Sequence, residues 1–423
     1  MSSGAPRRQA PRILIVGTAD TKADELRFMR ACIERQGGTA AIMDVGVLGA
    51  PGIDPDYGND RVAAAAGTTL GALAALGDEN LAMARMAEGA VALTLQLYGQ
   101  GQVQGLLALG GTMGTDLALD VTAALPLGMP KFIVTTVAYS HLLPPERLAP
   151  DVMMILWAGG LYGLNSICQA TLSQAAGAVL GACRAVVPPA ARRPRVAIGS
   201  LGKSCLSYMV TLNPELERRG YEPVVFHCTG MGGQAMERLI GQGAFAAVFD
   251  FALGEVANQL HGSVVTAGPR RLEAAGRHGV PQIVAPGASD MIDIQAWAPL
   301  PEAFKDRPCH AHNRLIASVT TTTAERCELA RVIAGKLNAA TGPTALLVPT
   351  RGIHAWDLEG QPMHDPSGHQ AYVEAFRHSV RAPVQHEELD LHINEPAFVQ
   401  RALAVFDGWV REGLIPRGQP PAG

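Results

Sequence analysis

The sequence predicts an α/β protein with two tandem domains and mainly parallel sheets. Short apolar segments alternate with segments of helical periodicity, which is the pattern of βαβ units. This alternation stops once and restarts near the middle of the 423-residue chain. Apolar residues make up 48% of the chain and charged residues 17%, as in a well-packed globular protein. A chain of this length is expected to form two or three domains.

The first domain is predicted to span residues 12–187, after a disordered tail at 1–11. Its elements follow one another in the order expected for βαβ units. The predicted strands lie at 12–17, 39–46, 105–110 and 131–136, and the predicted helices at 23–36, 61–77, 80–99, 116–125 and 164–184.

The segment VVPPAARRP at 186–194 interrupts every periodicity with three prolines and two arginines, so we place a linker at 188–194. The second domain is predicted at 195–410. Residues 411–423, in which glycine and proline recur, are predicted to form a loose tail. The predicted strands of the second domain lie at 195–200, 222–228, 246–251, 282–287 and 344–349.

Composition argues against several partners. The net charge of -4 leaves no basic face for nucleic acid or anionic lipid. No apolar run reaches the roughly 20 residues of a membrane span, and the N-terminus lacks the apolar segment of a secretory signal. The seven cysteines show no C-x-x-C spacing, which argues against a disulfide framework or a structural zinc site. We therefore expect a cytoplasmic protein with reduced thiols and no membrane or nucleic-acid partner.

The first candidate ligand loop is VGTADTKADEL at 16–26, because ligands of open α/β sheets bind where strands lead into helices. Lys22 beside a helix N-terminus could meet a phosphate, while Thr21 and Asp24 also fit a capping pair. The spacing of a Walker A motif is absent. The candidate ligand contacts in this loop are Gly17, Thr18, Asp20, Thr21 and Lys22.

The second candidate loop is LALGGTMGTDLAL at 107–119, which runs from an apolar strand through glycines into a helix. Its backbone N–H groups could cradle a phosphate, but glycine is also the usual residue of a sharp turn. Both readings stay open for this loop alone. The candidate ligand contacts are Gly110, Gly111, Thr112, Gly114 and Thr115.

Three loops of the second domain could contact a substrate. Lys203 in AIGSLGKSCLS is a possible anion contact, although the motif is only half of a P-loop. The glycines of VFHCTGMGGQAMERLI would let the backbone approach a ligand closely. Ser289 and Asp290 follow a strand end, where Asp290 could also cap a helix. The candidate substrate contacts are Lys203, Gly230, Gly232, Gly233 and Ser289.

Histidine is concentrated in the second domain, which holds eleven of the twelve histidines. His310 and His312 could approach one metal ion from the same side of a strand, or simply face solvent on a loop. An enzyme would use Glu237, Asp290, His310 and His312 for proton transfer on a small oxo-acid or other carboxylate. Whether a metal binds is left open by the sequence.

Several long motifs identify a family resemblance that spans nearly the whole chain outside its tails. The sequence resembles the Tm-1-like ATP-binding family, which is related to the N-terminal region of a plant tobamovirus-resistance protein. The matching motifs are GTADTKADELRFM (17–29), LGGTMGT (109–115), FHCTGMGGQAMERLI (226–240), AGPRRLEAAG (267–276), APGASDM (285–291), HN (312–313), ATGPTALLVPTRG (340–352) and LDLHINEPAF (389–398).

The resemblance implies two Rossmann-like domains and a nucleotide site at Asp20, Thr21 and Lys22, near LGGTMGT. The glycine-bearing loops of the two domains also fit a protein that binds an anionic ligand in an interdomain cleft. The resemblance further implies ATP, with or without Mg²⁺, as the cofactor and a homodimer as the assembly. The sequence departs from the family at LWAGGLYGLN (156–165) and at GSLGKSC, so a ligand other than ATP stays open.

Three functions follow from these observations. The leading hypothesis is a protein that binds ATP or another phosphorylated ligand through its glycine-rich loops. The alternative is a hydrolase or lyase that acts on a small oxo-acid or carboxylate with the polar residues of the second domain. A third hypothesis is a binding module without turnover.

Overall fold

Two successive α/β units make up the chain, Met1–Pro189 and Ala190–Gly423, in a computed structural model that describes residues 10–159, 163–187 and 192–419. Most of the predicted N-terminal tail and residues 188–191 of the predicted linker lie outside the described residues. Among the described helices, none is long and apolar enough to cross a membrane.

The first unit is built on a five-stranded parallel sheet in the order β2-β1-β3-β4-β5. Its strands are β1 (Arg12–Gly17), β2 (Thr39–Asp44), β3 (Gly105–Gly110), β4 (Lys131–Thr135) and β5 (Met153–Leu156). Its helices are α1 (Ala23–Arg35), α2 (Asn59–Ala65), α3 (Leu70–Ala74), α4 (Glu79–Gly99), α5 (Thr112–Ala124) and α6 (Ser166–Ala185), with a 3-10 turn at Pro145–Arg147.

Helices cover both faces of this sheet because alternate side chains of a strand point to opposite faces. Ile13 and Ile15 of β1 pack in one apolar cluster with residues of α1 and α6. Leu14 and Val16 pack in another, with residues of α2, α4 and α5. The continuous apolar run RILIVG therefore belongs to a strand that is buried on both sides.

The second unit is built on a six-stranded parallel sheet in the order β14-β13-β9-β8-β6-β7, together with a small antiparallel sheet β10-β12-β11. Its strands are β6 (Arg195–Ser200), β7 (Glu222–His227), β8 (Ala247–Asp250), β9 (Gln282–Val284), β10 (Met291–Gln295), β11 (Cys309–Ala311), β12 (Ile316–Thr320), β13 (Thr344–Pro349) and β14 (Gln385–Leu389). Its helices are α7 (Met209–Arg218), α8 (Met231–Gly241), α9 (Gly254–Leu260), α10 (Ala274–Arg277), α11 (Thr323–Asn338), α12 (Pro366–Ser379) and α13 (Pro396–Arg411), with 3-10 turns at Glu302–Phe304 and Ala355–Asp357.

This architecture confirms the predicted α/β fold with mainly parallel sheets. It also corrects the predicted loose tail at 411–423 for the residues up to Gln419. Ile415 is buried, and the hydroxyl of Tyr221 donates to the carbonyl of Pro416 at 2.7 Å. The N–H of Gln419 donates to the carbonyl of Gly220 at 2.9 Å. The segment packs because its backbone forms hydrogen bonds with residues next to β7. Its content of glycine and proline does not prevent these contacts.

Candidate functional site

A cavity of about 680 Å³ opens in the first unit at the carboxyl ends of β1, β2 and β3. The strand order places β2 and β3 on opposite sides of β1, so this is the point where the winding of the sheet reverses. Open parallel sheets bind their ligands at such points. The loops after β1 and β3, which the sequence nominated, both line this cavity.

The turn after β3 presents the N-terminus of α5 to the cavity. Gly111 is the N-cap residue, and no side chain caps the helix. The N–H of Thr115 donates to the carbonyl of Gly111 at 2.9 Å, whereas the three preceding N–H groups of the first turn have no acceptor within the helix. These groups belong to Thr112, Met113 and Gly114, which line the cavity. The arrangement favours a bound anion.

Glycine is required at the first position of this turn because the strand end and the helix approach closely. A side chain at Gly110 would put its Cβ 2.6 Å from the Cα of Gly114. At Gly111 the space is open, and the nearest atom to an added Cβ is the Thr136 hydroxyl oxygen at 4.0 Å. Gly110 therefore shapes the turn, while Gly111 leaves the helix N-terminus accessible.

Two of the nominated residues support the site without lining it. The Thr115 hydroxyl donates to the carbonyl of Gly111 at 2.7 Å and lies 2.5 Å from the Thr135 hydroxyl, so it is fully used within the fold. Gly17 packs under α1, where an added Cβ would lie 2.9 Å from the Leu26 side chain. The structure thus replaces the predicted ligand contacts of Gly17 and Thr115 with packing roles.

The loop after β1 contributes polar side chains. The hydroxyls of Thr18 and Thr21 lie 2.8 Å apart, and the N–H of Lys22 donates to the carbonyl of Thr18 at 2.9 Å. Lys22 is only 9% exposed, and its Nζ lies 5.4 Å from the ring centre of Trp157. Lys22 therefore lies at the cavity wall with its ammonium group packed near the Trp157 ring.

Asp20 and Asp44 place two carboxylates near the same wall. Asp20 lines the cavity and accepts the N–H of Thr21 at 2.7 Å. Asp44 is buried, and its Oδ1 accepts the N–H groups of Ala19 and Gly46, but its Oδ2 has no hydrogen-bond partner. Burial raises the pKa of Asp44, and the neighbouring charge of Asp20 adds to that effect.

The opposite wall of the cavity is mostly apolar, although it also carries the carboxylates of Asp78 and Glu79. It comes from the loop after β2, from α3 and from the first turn of α4. The apolar lining residues are Val45, Val47, Leu48, Leu73, Ala74, Ala82 and Met83. A ligand with one anionic end and one apolar end matches these two walls.

The glycine-rich loop of the second unit is filled by a side chain of the same chain. Oε1 of Glu255 accepts the N–H of Gly230 at 2.6 Å and that of Gly233 at 3.1 Å. A Cβ at Gly233 would overlap Oε2 of Glu255, and one at Gly232 would overlap the carbonyl of His227. These glycines therefore allow the close approach of an internal carboxylate, which corrects their prediction as substrate contacts.

Arg271 holds this region together as a fully buried cation. Its guanidinium donates to Glu255 at 2.6 Å and to Asp250 at 2.8 Å. Glu237 accepts from Arg271 at 3.2 Å and also from the N–H groups of Leu272 and Ala274, each at 2.7 Å. Burial raises the pKa of Glu237, against the opposing charge of Arg271. Glu237 thus has a structural role in place of the predicted proton transfer.

A second cavity, of about 550 Å³, opens in the second unit beside Asp290. It lies at the carboxyl ends of β13 and β14, against the start of α12. Its lining comprises Asp290, Thr350, Arg351, Gly352, Asp357, Met363, His364, Asp365, Pro366, His369, Gln370, Val373, Glu374, Arg377 and Glu388.

Asp290 pairs with a histidine that the sequence reasoning missed. Its Oδ1 lies 3.0 Å from Nε2 of His354, and both side chains are buried. His310 and His312 lie instead beside Trp356, with ring centres 4.1 and 6.1 Å from it. Burial lowers the pKa of His310, with His312 and His354 adding to the effect. The predicted set of four catalytic residues is therefore not one acid–base constellation.

The remaining nominated residues of the second unit are also accounted for. Ser289 is buried, and its hydroxyl donates to the carbonyl of Pro286 at 2.6 Å and lies 2.8 Å from the Tyr372 hydroxyl. Its predicted substrate contact is therefore corrected to a packing role. Lys203 is exposed, and it is not among the lining residues of either cavity.

A group that could hold a metal ion is formed by Asp290, His354 and Asp357, whose ligand atoms lie within 4.8 Å of one another. The segment RGIHAWD could have drawn attention to the last two residues. It follows a buried strand and places a histidine and an aspartate three positions apart. Their partner Asp290 lies more than sixty residues earlier in the chain. Only the fold brings them together.

Comparisons with known proteins match both units. The N-terminal domain of the uncharacterised protein family UPF0261 matches residues 11–188, and its C-terminal domain matches residues 193–410. A UPF0261 protein of Brucella melitensis is 56% identical over 97% of this chain and 98% of its own length. One from Clostridium tetani is 35% identical over 92% of this chain and 96% of its own length.

A more distant relative is the ToMV resistance protein Tm-1 of Solanum lycopersicum. It is 27% identical over 94% of this chain, which corresponds to 55% of the plant protein. Among solved structures, the glycosyltransferase SnogD from Streptomyces nogalater aligns over 94% of this chain and all of its own, with 13% identity and a TM-score of 0.20. That similarity is too low to support an inference about fold or function. The Tm-1 match confirms the family resemblance found in the sequence.

Proposed function

We propose that this chain, which belongs to the uncharacterised protein family UPF0261, binds a phosphorylated nucleotide of the ATP type in the cavity of its first unit. The observation that carries the proposal is the uncapped N-terminus of α5 in the wall of that cavity. The cavity has a volume of about 680 Å³, which falls in the range of about 300–1,000 Å³ that is usual for small-molecule sites.

The phosphates would lie at the turn formed by Gly110 and Gly111. The free N–H groups at the start of α5 supply hydrogen-bond donors, and the helix dipole adds a partial positive charge. Lys22, at the same wall, supplies a full positive charge. A phosphate is a better match to these donors than a neutral ligand, because each donor gains a charged acceptor.

The apolar part of the ligand would lie against the opposite wall, which includes Val45, Leu73 and Met83. A purine base is flat and largely apolar on its faces, so burying it there removes apolar surface from water. Inorganic phosphate or pyrophosphate would leave this wall unused. The two walls together therefore favour a nucleotide.

A magnesium ion carried by the nucleotide would be held by Asp20. Carboxylate oxygens are preferred ligands of Mg²⁺, which usually binds through one or two carboxylates together with phosphates and water. The fit is supported by Asp44, whose buried Oδ2 beside Asp20 has no hydrogen-bond partner. Without a cation, the charge of Asp20 would repel the phosphates that α5 attracts.

Isothermal titration calorimetry with ATP, ADP, AMP and inorganic phosphate, each with and without Mg²⁺, tests this proposal. We expect ATP with Mg²⁺ to bind most tightly and Asp20→Asn to remove the benefit of Mg²⁺. Asp24→Asn is the matched control, because Asp24 is largely exposed and pairs with Arg27 on the surface of α1. The absence of binding by every nucleotide would refute the proposal.

The alternative function, a hydrolase or lyase in the second unit, requires four catalytic residues at one site. Three of these four residues do not line the cavity beside Asp290. Glu237 is held in the Arg271 network, and His310 and His312 lie beside Trp356 rather than in the cavity next to Asp290. Asp290 alone keeps a position at a cavity wall. The nucleotide proposal is the one that the geometry supports better.

A further inference from the structure

One buried side-chain nitrogen beside the cavity of the second unit, Nδ1 of His369, has no hydrogen-bond partner. Two further buried polar atoms near it, Oδ1 of Asp290 and Nε2 of His354, lie 3.0 Å apart and pair with each other. Buried polar atoms in folded proteins are satisfied in about 90% of cases or more, and an exception calls for an explanation such as a water or an ion. The unpartnered Nδ1 of His369 beside this buried pair therefore indicates a ligand.

The ring of His369 is oriented as a ligand would require. Its Nε2 lies 2.9 Å from the carbonyl of Pro349. A carbonyl can only accept a hydrogen bond, so Nε2 carries the proton of the neutral ring and Nδ1 carries a lone pair. Histidines that bind metals commonly donate their other N–H to a backbone carbonyl in this way. His369 is only 9% exposed and lines the cavity.

Asp290 supplies a carboxylate in the wall of the same cavity. It is only 3% exposed, and its partners are His354 and Arg326. Oδ2 of this carboxylate lies 3.9 Å from the Arg326 guanidinium, and Oδ1 lies 3.0 Å from Nε2 of His354.

His354 positions Asp290 rather than competing with it for a ligand. Nδ1 of His354 accepts the N–H of Trp356 at 3.1 Å, so the neutral ring carries its proton on Nε2. That atom lies 3.0 Å from Oδ1 of Asp290. A proton on Nε2 disfavours metal binding at this ring.

Carboxylates outnumber cations around these atoms. Asp290, Asp357 and Asp365 line the cavity, and Arg326 is the buried guanidinium that pairs with the first and the third of them. With all four groups ionised, the local charge is about -2, which a divalent cation would balance. At the opening of the cavity, the charges of Arg377 and Glu388 neutralise each other in an ion pair.

We propose that the inner end of this cavity binds one divalent first-row transition-metal ion through Asp290, Asp357 and His369, with water in the remaining positions. Asp290 and Asp357 each offer an oxygen within 4.8 Å of the other, and Oδ1 of Asp357 also lies 3.2 Å from Nε2 of His392. A mixed set of carboxylate oxygens and one imidazole nitrogen suits Mn²⁺ or Zn²⁺. The open volume beside the ligands leaves coordination positions for water or for a small substrate. This site is independent of the nucleotide site in the first unit.

Metal binding by the full-length protein tests this inference. Protein stripped with EDTA and desalted would be titrated with Mn²⁺ and, separately, with Zn²⁺, in the absence of nucleotide. We expect one high-affinity equivalent per chain. Asp290→Asn and His369→Gln should each weaken binding by at least about tenfold. The glutamine can still donate to the carbonyl of Pro349, so it removes the ligand nitrogen with little change in packing.

Two control variants change nearby or similar groups that the proposed site does not use. His364→Gln changes a histidine of the same cavity whose Nδ1 lies 2.8 Å from the carbonyl of Asp357, and Asp24→Asn removes an exposed carboxylate of the first unit. Both variants should bind Mn²⁺ like the wild type. No uptake of either metal by the wild type, or unchanged affinity in Asp290→Asn and His369→Gln, would overturn the inference.

If a variant does not melt cooperatively, the wild type alone decides the question. Electron spin-echo envelope modulation of the bound Mn²⁺ should then show coupling to one imidazole nitrogen. Bound Mn²⁺ without nitrogen coupling would overturn the assignment of His369.

Discussion

Oε1 of Glu255 accepts the backbone N–H of Gly230 at 2.6 Å, so a carboxylate of the chain itself occupies the glycine-rich turn before α8. The same carboxylate accepts the N–H of Gly233 and an N–H of Arg271. This turn has the composition of a ligand loop, but its donors are already used. Among the hydrogen bonds of the described residues, none joins the uncapped turn before α5 to an internal carboxylate. For this reason we propose that turn, and not the turn before α8, as the anion site.

Gly233→Ala should destabilise the protein strongly. The new methyl group would overlap Oε2 of Glu255 and lie 2.7 Å from Nε of Arg271, both of which are buried. Overpacking of this kind typically costs about 1–3 kcal/mol, and displacing a buried carboxylate adds to it. Urea unfolding measures the loss. Gly241→Ala in the same helix is the control, because its methyl group would meet only the His278 ring at 3.4 Å, and its free energy of unfolding should hold or rise.

Arg271→Met should cost about 3–5 kcal/mol of unfolding free energy, because it leaves Asp250, Glu255 and Glu237 buried without their cation. Arg401→Met removes an exposed partner of Glu387 and should cost no more than about 1 kcal/mol. Chemical denaturation of both variants gives the comparison. Equal losses in the two variants would contradict the assignment of Arg271 as the centre of a buried network.

The ionised Glu325 carboxylate should stabilise the protein, and this contribution to the free energy of unfolding should be lost in acid. Burial would raise its pKa, but hydrogen bonds from Arg307 and from the N–H of Thr322 lower it to about 2. Because the folded pKa lies below the unfolded value of about 4.3, its contribution is fully present above that value. The contribution is then lost as the pH falls towards 2. Unfolding curves at pH 7, 5, 4 and 3 should show a shallower acid loss for Glu325→Gln than for the wild type, and parallel losses would refute this.

Lys22→Met should weaken nucleotide binding by about tenfold or more while the fold persists. The substitution keeps the aliphatic contacts of a side chain that is only 9% exposed and removes the charge at the cavity wall. A tenfold loss corresponds to about 1.4 kcal/mol. Calorimetry with ATP and Mg²⁺ measures it, and Arg27→Met on the exposed side of α1 should bind like the wild type.

The parallel strands were predictable where both faces of the sheet are covered, because RILIVG and GLLALG are then continuous apolar runs. The strand QHEEL of β14 was missed, since it pairs with β13 alone at the edge of its sheet and carries polar side chains. The strand MMIL of β5 lies at the other unit's sheet edge and is only four residues long. Edge strands give weak sequence patterns for this physical reason.

The ligand loops of the first unit could be nominated from sequence because glycine and threonine at a strand end restrict the backbone there. What the sequence could not give is which N–H groups are already paired. Glu255 reaches Gly230 from 25 positions away, and His354 reaches Asp290 from 64 positions away. Such contacts depend on strand order, which local patterns do not encode.

Gly111→Asp tests the nucleotide site most directly. Gly111 is the N-cap of α5 in an extended conformation with open space at its Cβ, so aspartate fits and can cap the free N–H groups. The variant should fold with unchanged or higher stability and lose ATP binding by at least about a hundredfold, because its carboxylate takes the place of a phosphate. Gly111→Ala, without the charge, should keep binding close to that of the wild type. ATP affinity in Gly111→Asp equal to that of Gly111→Ala, measured by calorimetry with Mg²⁺ present, would contradict the account.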